Sequence, residues 1–250
     1  MSILDETARM DARSLEALCA DAWPPLVEKP LGDWRLRACG GYTGRANSAL
    51  AVGDPGIPVA QALHTVAGFA EEQQIRPCVQ VIVGSDTEAA VAAAGWSVNL
   101  AHPKGAESSV LTSTRAVPGP ATEVADTPPD GWLELVVGGE PTPAQRHVLT
   151  SGPRVGFASV HRDGRLVGAA RGCVVRDYLH VSVVEVAPEY RRQGLGSTLL
   201  ASLDKWADTG HRVLQVAVHN EPALALYATL GYTESHRYRY WIPRVAPTGK

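Results

Sequence analysis

The chain has 250 residues, enough for one large domain or two small ones, and its 45% apolar and 20% charged residues are the balance of an ordinary globular protein. No apolar run approaches the ~20 residues of a membrane-spanning helix, and the opening MSILDETARMDARS lacks a basic stretch followed by an apolar one, so a cytoplasmic protein with no membrane partner is expected. Cys19, Cys39, Cys78 and Cys173 are scattered, and no His/Cys/carboxylate cluster has ligand spacing, which argues against disulfides and a metal site. The net charge of −3 is uneven: residues 131–250 carry 14 Lys and Arg against 10 Asp and Glu, leaving 9 against 16 in the first 130. A mildly basic second half suits an anionic ligand, but the charge is too dispersed for nucleic acid.

In chain order, the first half holds WRLRACGGYTGRANS, where Arg45-Ala46-Asn47-Ser48 reads as a turn capped by Asn47 or Ser48 or as part of a pocket between the halves. ALAV, GDPGIP and VAQALHTVAGFAEEQ then read as strand, turn and helix, and VQVIV, GSD and TEAAVAAAG repeat that order. From Ser113 to Trp132 the chain is periodless and carries Pro118, Pro120, Pro128 and Pro129; this predicts a linker over 117–131 between domains at 1–116 and 132–250.

In the second half, WLELVV predicts a strand and TPAQRHVLTSG a short helix. VGFASVHRDGRLVGAARGCVV predicts a hairpin turning at Asp163-Gly164. YLHVSVVEV is a β-branched run of the kind that fills a central strand. GSTLLASLDKWADTG is a helix with Leu199, Leu203 and Trp206 on one face and Gly210 as its cap. RVLQVAV, EPALALYATLG and YRYWI follow as strand, helix and strand. The whole reads as α+β.

Val79–Trp96 and Leu214–Tyr232 share strand, turn, alanine-rich helix and aromatic at an offset of 135 residues. An internal duplication is expected, the first copy having lost one feature of the second: Arg191-Arg192-Gln193-Gly194-Leu195-Gly196, between a strand and a helix. Free backbone N–H groups at a helix N-terminus form an anion site, two glycines let a phosphate come close, and paired arginines add forked donors. The third glycine of a dinucleotide fingerprint and the Gly-Lys-Ser/Thr of a P-loop are both missing.

With Asn220, Tyr227 and Gly231-Tyr232 downstream, the segment from Trp132 onward resembles the GNAT superfamily of N-acetyltransferases. The resemblance implies two GNAT-like domains, each a mixed, mostly antiparallel sheet flanked by helices, with the N-terminal copy degenerate. It implies acetyl-CoA as donor and no metal. The pyrophosphate would lie on Arg191, Arg192, Gln193, Gly194, Leu195, Gly196 and Ser197. The pantetheine arm would lie on the backbone of Val184 and Val186, with Asn220 also touching the cofactor. Tyr227 would protonate the leaving thiolate. RGCVV, VEVAPEYRRQGLG and WRLRACGGYTGRANS also resemble an actinobacterial two-domain group described as N-acetylglutamate synthases. The acceptor would then be a small-molecule primary amine, such as glutamate. An amine-bearing antibiotic, or a CoA-binding regulatory role without turnover, stays open, as does a homodimer.

Strict alternation along HVSVVEV places His180, Ser182, Val184 and Val186 on one face and Val181, Val183 and Glu185 on the other. His180 is a candidate base or a hydrogen-bonded strand histidine. Glu185 is a second catalytic candidate and faces two readings with Arg171: a buried structural pair, or a substrate site in which Glu185 orients an amine and Arg171 takes a carboxylate.

Overall fold

The computed structural model describes residues 10–244. The first half runs α1 (Ala12–Asp21), β1 (Val27–Leu31), β2 (Trp34–Ala38), β3 (Ala49–Leu50), α2 (Val59–Glu72), β4 (Val79–Ile82), α3 (Asp86–Ala93), β5 (Trp96–Val98) and β6 (Glu107–Ser113). The second half runs β7 (Val124–Ala125), α4 (Trp132–Val137), α5 (Pro143–Thr150), β8 (Arg154–Arg162), β9 (Arg165–Val175), β10 (Tyr178–Val186), α6 (Leu195–Ala207), β11 (His211–Ala217), α7 (Glu221–Thr229) and β12 (Thr233–Pro243).

All twelve strands form one sheet, in the order β1-β2-β3-β4-β12-β6-β11-β10-β9-β8-β7, with β5 paired to β12. Pairing is antiparallel except for β3–β4 and β10–β11, the two places where a helix crossover joins the strands. The order reads alike outward from the β12–β6 seam, and the two halves exchange their last strands. β6 pairs with β11 of the second half, and β12 pairs with β4 of the first. The sheet therefore crosses from one half of the sequence to the other without a break.

The segment read as a linker is mostly exposed and touches the body at a few points. Val117 is buried and its N–H donates to Asp204 at 2.9 Å, Thr122 N–H donates to Ser202 at 2.8 Å, and β7 pairs with β8. WLELVV is a helix, not a strand. Gly131 and Gly138 bracket it in the left-handed region at φ 77° and 77°, and so short an apolar run has no period to distinguish the two. α6 ends on Asp208, left-handed at φ 51°, rather than on Gly210. The β8–β9 hairpin turns at Asp163-Gly164 as read, with φ 51° and 75°.

One core lies between the sheet and α6 and α7, built on Leu179, Val181, Leu199, Leu203 and Leu214. On the opposite face, α4 and α5 pack with Trp23, Phe157 and Ala169. The indole N–H of Trp132 donates to the Ala158 carbonyl at 3.0 Å, so this buried polar atom is satisfied. Among the described residues no helix is long and apolar enough to cross a membrane, and no group of three or more His, Cys, Asp or Glu is placed to hold a metal.

Candidate active site

β10 and β11 run parallel only from Tyr178↔His211 to Val181↔Leu214 and then part. The β10–β9 register slips between Ser182 and Glu185, and Val183 takes φ 57°, an outlier for a β-branched residue. This bulge overturns strict alternation. Val184 and Val186 join Leu179 and Val181 on the α6 side, while Val183 packs with Trp23 on the other side.

The parting strands open a groove of about 820 Å³ between α6 and α7. Its walls include Val184, Glu185, Val186, Arg191, Arg192, Gly194, Leu195, Gly196, Ser197, Asn220 and Tyr227. α6 begins on Gly194 at φ 79° with no side-chain cap, and Thr198 donates to the Gly194 carbonyl at 3.1 Å. The N–H groups of the first turn therefore face the groove without an intrahelical acceptor. A Cβ on Gly194 would meet nothing within 4 Å but would be strained at that φ, while one on Gly196 would press Leu226 at 3.2 Å. Uncapped donors, two glycines and two arginines at the mouth of an elongated groove fit a pyrophosphate with a long thiol-bearing arm.

Arg191 donates from Nε to the Val186 carbonyl at 2.9 Å and from Nη2 to Glu185 at 3.0 Å. Both side chains of this ion pair are about half exposed. Gln193 is nearest the Glu189 carbonyl at 3.5 Å. Asn220 caps α7, accepting from Ala223 N–H at 3.3 Å. Tyr227 is 7% exposed, its ring 5.7 Å from that of Tyr232, and burial pushes its phenol up to about 12.

The Arg171–Glu185 pair does not form. Across the ladder Arg171 faces Ser182, and Glu185 faces Ala169. The fully buried Arg171 donates to the carbonyls of Leu149 at 2.8 Å and Ser151 at 2.6 Å, on the sheet face away from the groove. Burial pushes its guanidinium down to about 10. His180 is also fully buried and off the groove wall. Burial, reinforced by Arg45 and Arg171, holds it well below its ordinary range, so it is neutral.

The sequence offers Asn47 or Ser48 as the cap of the first half's loop, and Asn47 takes that part. Asn47 ties it together, accepting from the N–H groups of Cys39 and Gly41 and donating to Thr43. The loop carries Arg45 across to Gln215 of β11, at 2.8 Å, beside the point where the strands part. The signal was the run of arginines and small residues in WRLRACGGYTGRANS, which named the loop but not its destination.

Comparison with known proteins gives this chain relatives. Residues 9–241 match the family described as "Probable histone acetyltransferase Rv0428c C-terminal". The "Uncharacterized N-acetyltransferase YobR" of Bacillus subtilis is 24% identical over 94% of this chain and 99% of its own length. The "[Ribosomal protein bS18]-alanine N-acetyltransferase" of Escherichia coli K12 is 30% identical over 48% of this chain and 84% of its own. Among solved structures, a "GCN5-related N-acetyltransferase" from Kribbella flavida superposes with TM-score 0.69 at 14% identity, covering 96% of this chain and 98% of its own. A "Tandem GNAT protein from the clavulanic acid biosynthesis pathway" gives 0.58 at 18% identity, covering 81% and 76%.

Proposed function

We propose how this chain, which belongs to the Rv0428c C-terminal family and is an N-acetyltransferase of the GNAT type, carries out its reaction. Acetyl-CoA, the donor of GNAT enzymes, supplies an activated acetyl group on a thiolate leaving group. The α6 N-terminus with Arg191 and Arg192 holds its pyrophosphate, and Gly194 and Gly196 allow the close approach. The backbone of Val184 and Val186 aligns the arm along the groove, with Asn220 at its α7 wall.

The acceptor is a primary amine, attacking the acetyl carbon directly as the carbon–sulfur bond breaks. Two protons must move. Tyr227 Oη gives one to the departing sulfur, and a phenol held near 12 keeps that proton through the working range. His180, beside the parting of the strands, receives the amine's proton, against the disfavour that burial and the two arginines impose on its charged form. Glu185, tied to Arg191, serves the donor side of the groove rather than the amine. The matching order β3-α2-β4-α3 and β10-α6-β11-α7 supports a duplicated chain with the donor site in the second copy.

The observation that carries this reading is the groove itself, with an uncapped helix N-terminus at one end and Tyr227 along its wall. The test is a screen of amines for release of CoA thiol, with amino acids including glutamate, aminoglycosides and a peptide with an N-terminal alanine. Thiol release that depends on one class identifies the acceptor. Acetyl-CoA binding with no release for any amine would leave a binding protein in place of an enzyme of this mechanism.

A further inference from the structure

On the sheet face opposite the groove, where β10 and β11 part, lies a group of buried polar side chains that nothing in the donor site uses. Arg171 Nη1, both ring nitrogens of His180 and Ser182 Oγ have no hydrogen-bond partner among the described residues. These residues are 0%, 0% and 6% exposed. Buried polar atoms in folded proteins are nearly always paired, so four unpaired atoms in one place call for an explanation. They are neighbours by register: Arg171 stands opposite Ser182 on β9 and β10, and His180 is two residues up the same face.

The first half completes the group. The Trp23 ring lies under two guanidiniums, with Arg45 at 4.9 Å and Arg171 at 5.0 Å from its centroid. Its indole N–H is anchored to Thr43 at 3.0 Å, which fixes the ring. Neither arginine forms an ion pair among the described residues. Arg45 reaches the buried Glu16 only through Gln215, which accepts from Arg45 and donates to Glu16 at 3.4 Å. Two cations contact one aromatic ring with no carboxylate in direct contact, and a buried charge without a counter-charge is costly. Arg45 and Tyr42 are only half-buried and form the edge of the cluster towards solvent.

We infer that this cluster is the acceptor subsite and that it binds a carboxylate of the acceptor amine, between Arg171 and Arg45 with Ser182 as a further donor. A carboxylate accepts from several donors at once and suits the forked guanidinium. The position restricts the ligand further. Ser182 is two residues from Val184 on the groove wall, at most about 7 Å were the chain fully extended and less across the bulge at Val183. The carboxylate must therefore sit within a few bonds of the reacting nitrogen, as in a free amino acid. A peptide N-terminus has an amide in place of the α-carboxylate. An amine reaching the parting of the strands from this face would meet the thioester arm coming from the α6–α7 face.

This inference rests on the acetyltransferase reading, and the test separates the two. Acetyl-CoA affinity is first measured by calorimetry; no affinity would fail the acetyltransferase reading itself. CoA-thiol release is then measured with the proteinogenic amino acids, each paired with its α-carboxamide, and with putrescine as an amine that lacks a carboxylate. The expected result is that the best free amino acid exceeds its amide by about 10- to 100-fold in kcat/KM, the worth of one charge-assisted hydrogen bond. Arg171→Lys and Arg45→Gln should raise the KM of that amino acid by a similar factor while leaving acetyl-CoA affinity unchanged. Arg45 is half-buried, so its replacement keeps the test open if Arg171→Lys fails to fold. Equal or better use of the amides or of putrescine would overturn the carboxylate site, and so would the absence of turnover with every amino acid while acetyl-CoA binds.

Discussion

The two strand–turn–helix units of this chain share a topology and differ in what their turns present. Before α6 the turn offers Arg191, Arg192 and a left-handed Gly194, and the helix starts with its donors free. Before α2 the turn is GDPGIP, and its backbone is already tied to carboxylates. Asp54 N–H donates to Asp33 at 2.8 Å, Gly56 N–H donates to Asp54 at 2.8 Å, and Arg13 also lies on Asp33 at 3.3 Å. The cleft beside this turn, about 460 Å³, is lined by Asp33, Asp54 and Asp86 with Arg13 as counter-charge. α2, like α6, starts without a side-chain cap, but a pyrophosphate brought there would meet fixed negative charge and a turn whose Asp54 and Gly56 N–H groups are already in use. The fold supplies a parallel strand pair and a helix start in both units, but the side chains of the turn decide whether an anion can enter.

Two substitutions and a pH series would break or sharpen this contrast. The largest effect is expected from Gly196→Asp, which gives the second turn the character of the first. The new Cβ would press Leu226 at 3.2 Å and the carboxylate would face the phosphates, so acetyl-CoA affinity should fall by about 10³-fold or more. Calorimetry checks this, and unchanged affinity would remove the phosphate role from the turn.

Tyr227→Phe acts on turnover instead. It keeps the packing against Tyr232 and removes only the proton donor, so kcat should drop by roughly 10²-fold at near-constant acetyl-CoA affinity. With the phenol pushed up to about 12, wild-type enzyme should show no falling alkaline limb from this group below about pH 10. Normal turnover in the variant, with the chemical step limiting, would reject the assignment.

The smallest effect is on stability. The Tyr227 phenol is raised in the folded chain, so its contribution is complete below the unfolded value near 10 and is lost as pH rises towards about 12. Wild-type protein should therefore lose up to about 2–3 kcal/mol more than Tyr227→Phe over that interval. Urea unfolding of both proteins at each pH measures the difference, and parallel losses would mean the phenol is not desolvated.

Much of the second half was legible because its residues obey local rules. Leu199 and Leu203 mark a buried helix face, Asp163-Gly164 marks a hairpin, and Gly194 and Gly196 mark a helix start open to a ligand. What escaped depends on contacts far away in sequence. No glycine or proline announces the bulge at Val183; it follows from pairing with β9, and it moves Val184 and Val186 to the opposite face from the one alternation assigns. The exchange of β6 and β12 between halves leaves no local trace, because either strand has the pattern to pair with either neighbour. For the same reason the partners of Arg171, the carbonyls of Leu149 and Ser151, could not be anticipated when Glu185 seemed near in register.

The central claim is that only the second turn receives acetyl-CoA. Calorimetric titration of wild-type protein with acetyl-CoA tests it most directly. One molecule bound per chain, with binding lost in Gly196→Asp, is the predicted result. A stoichiometry near two per chain, or one site that survives in Gly196→Asp, would contradict it.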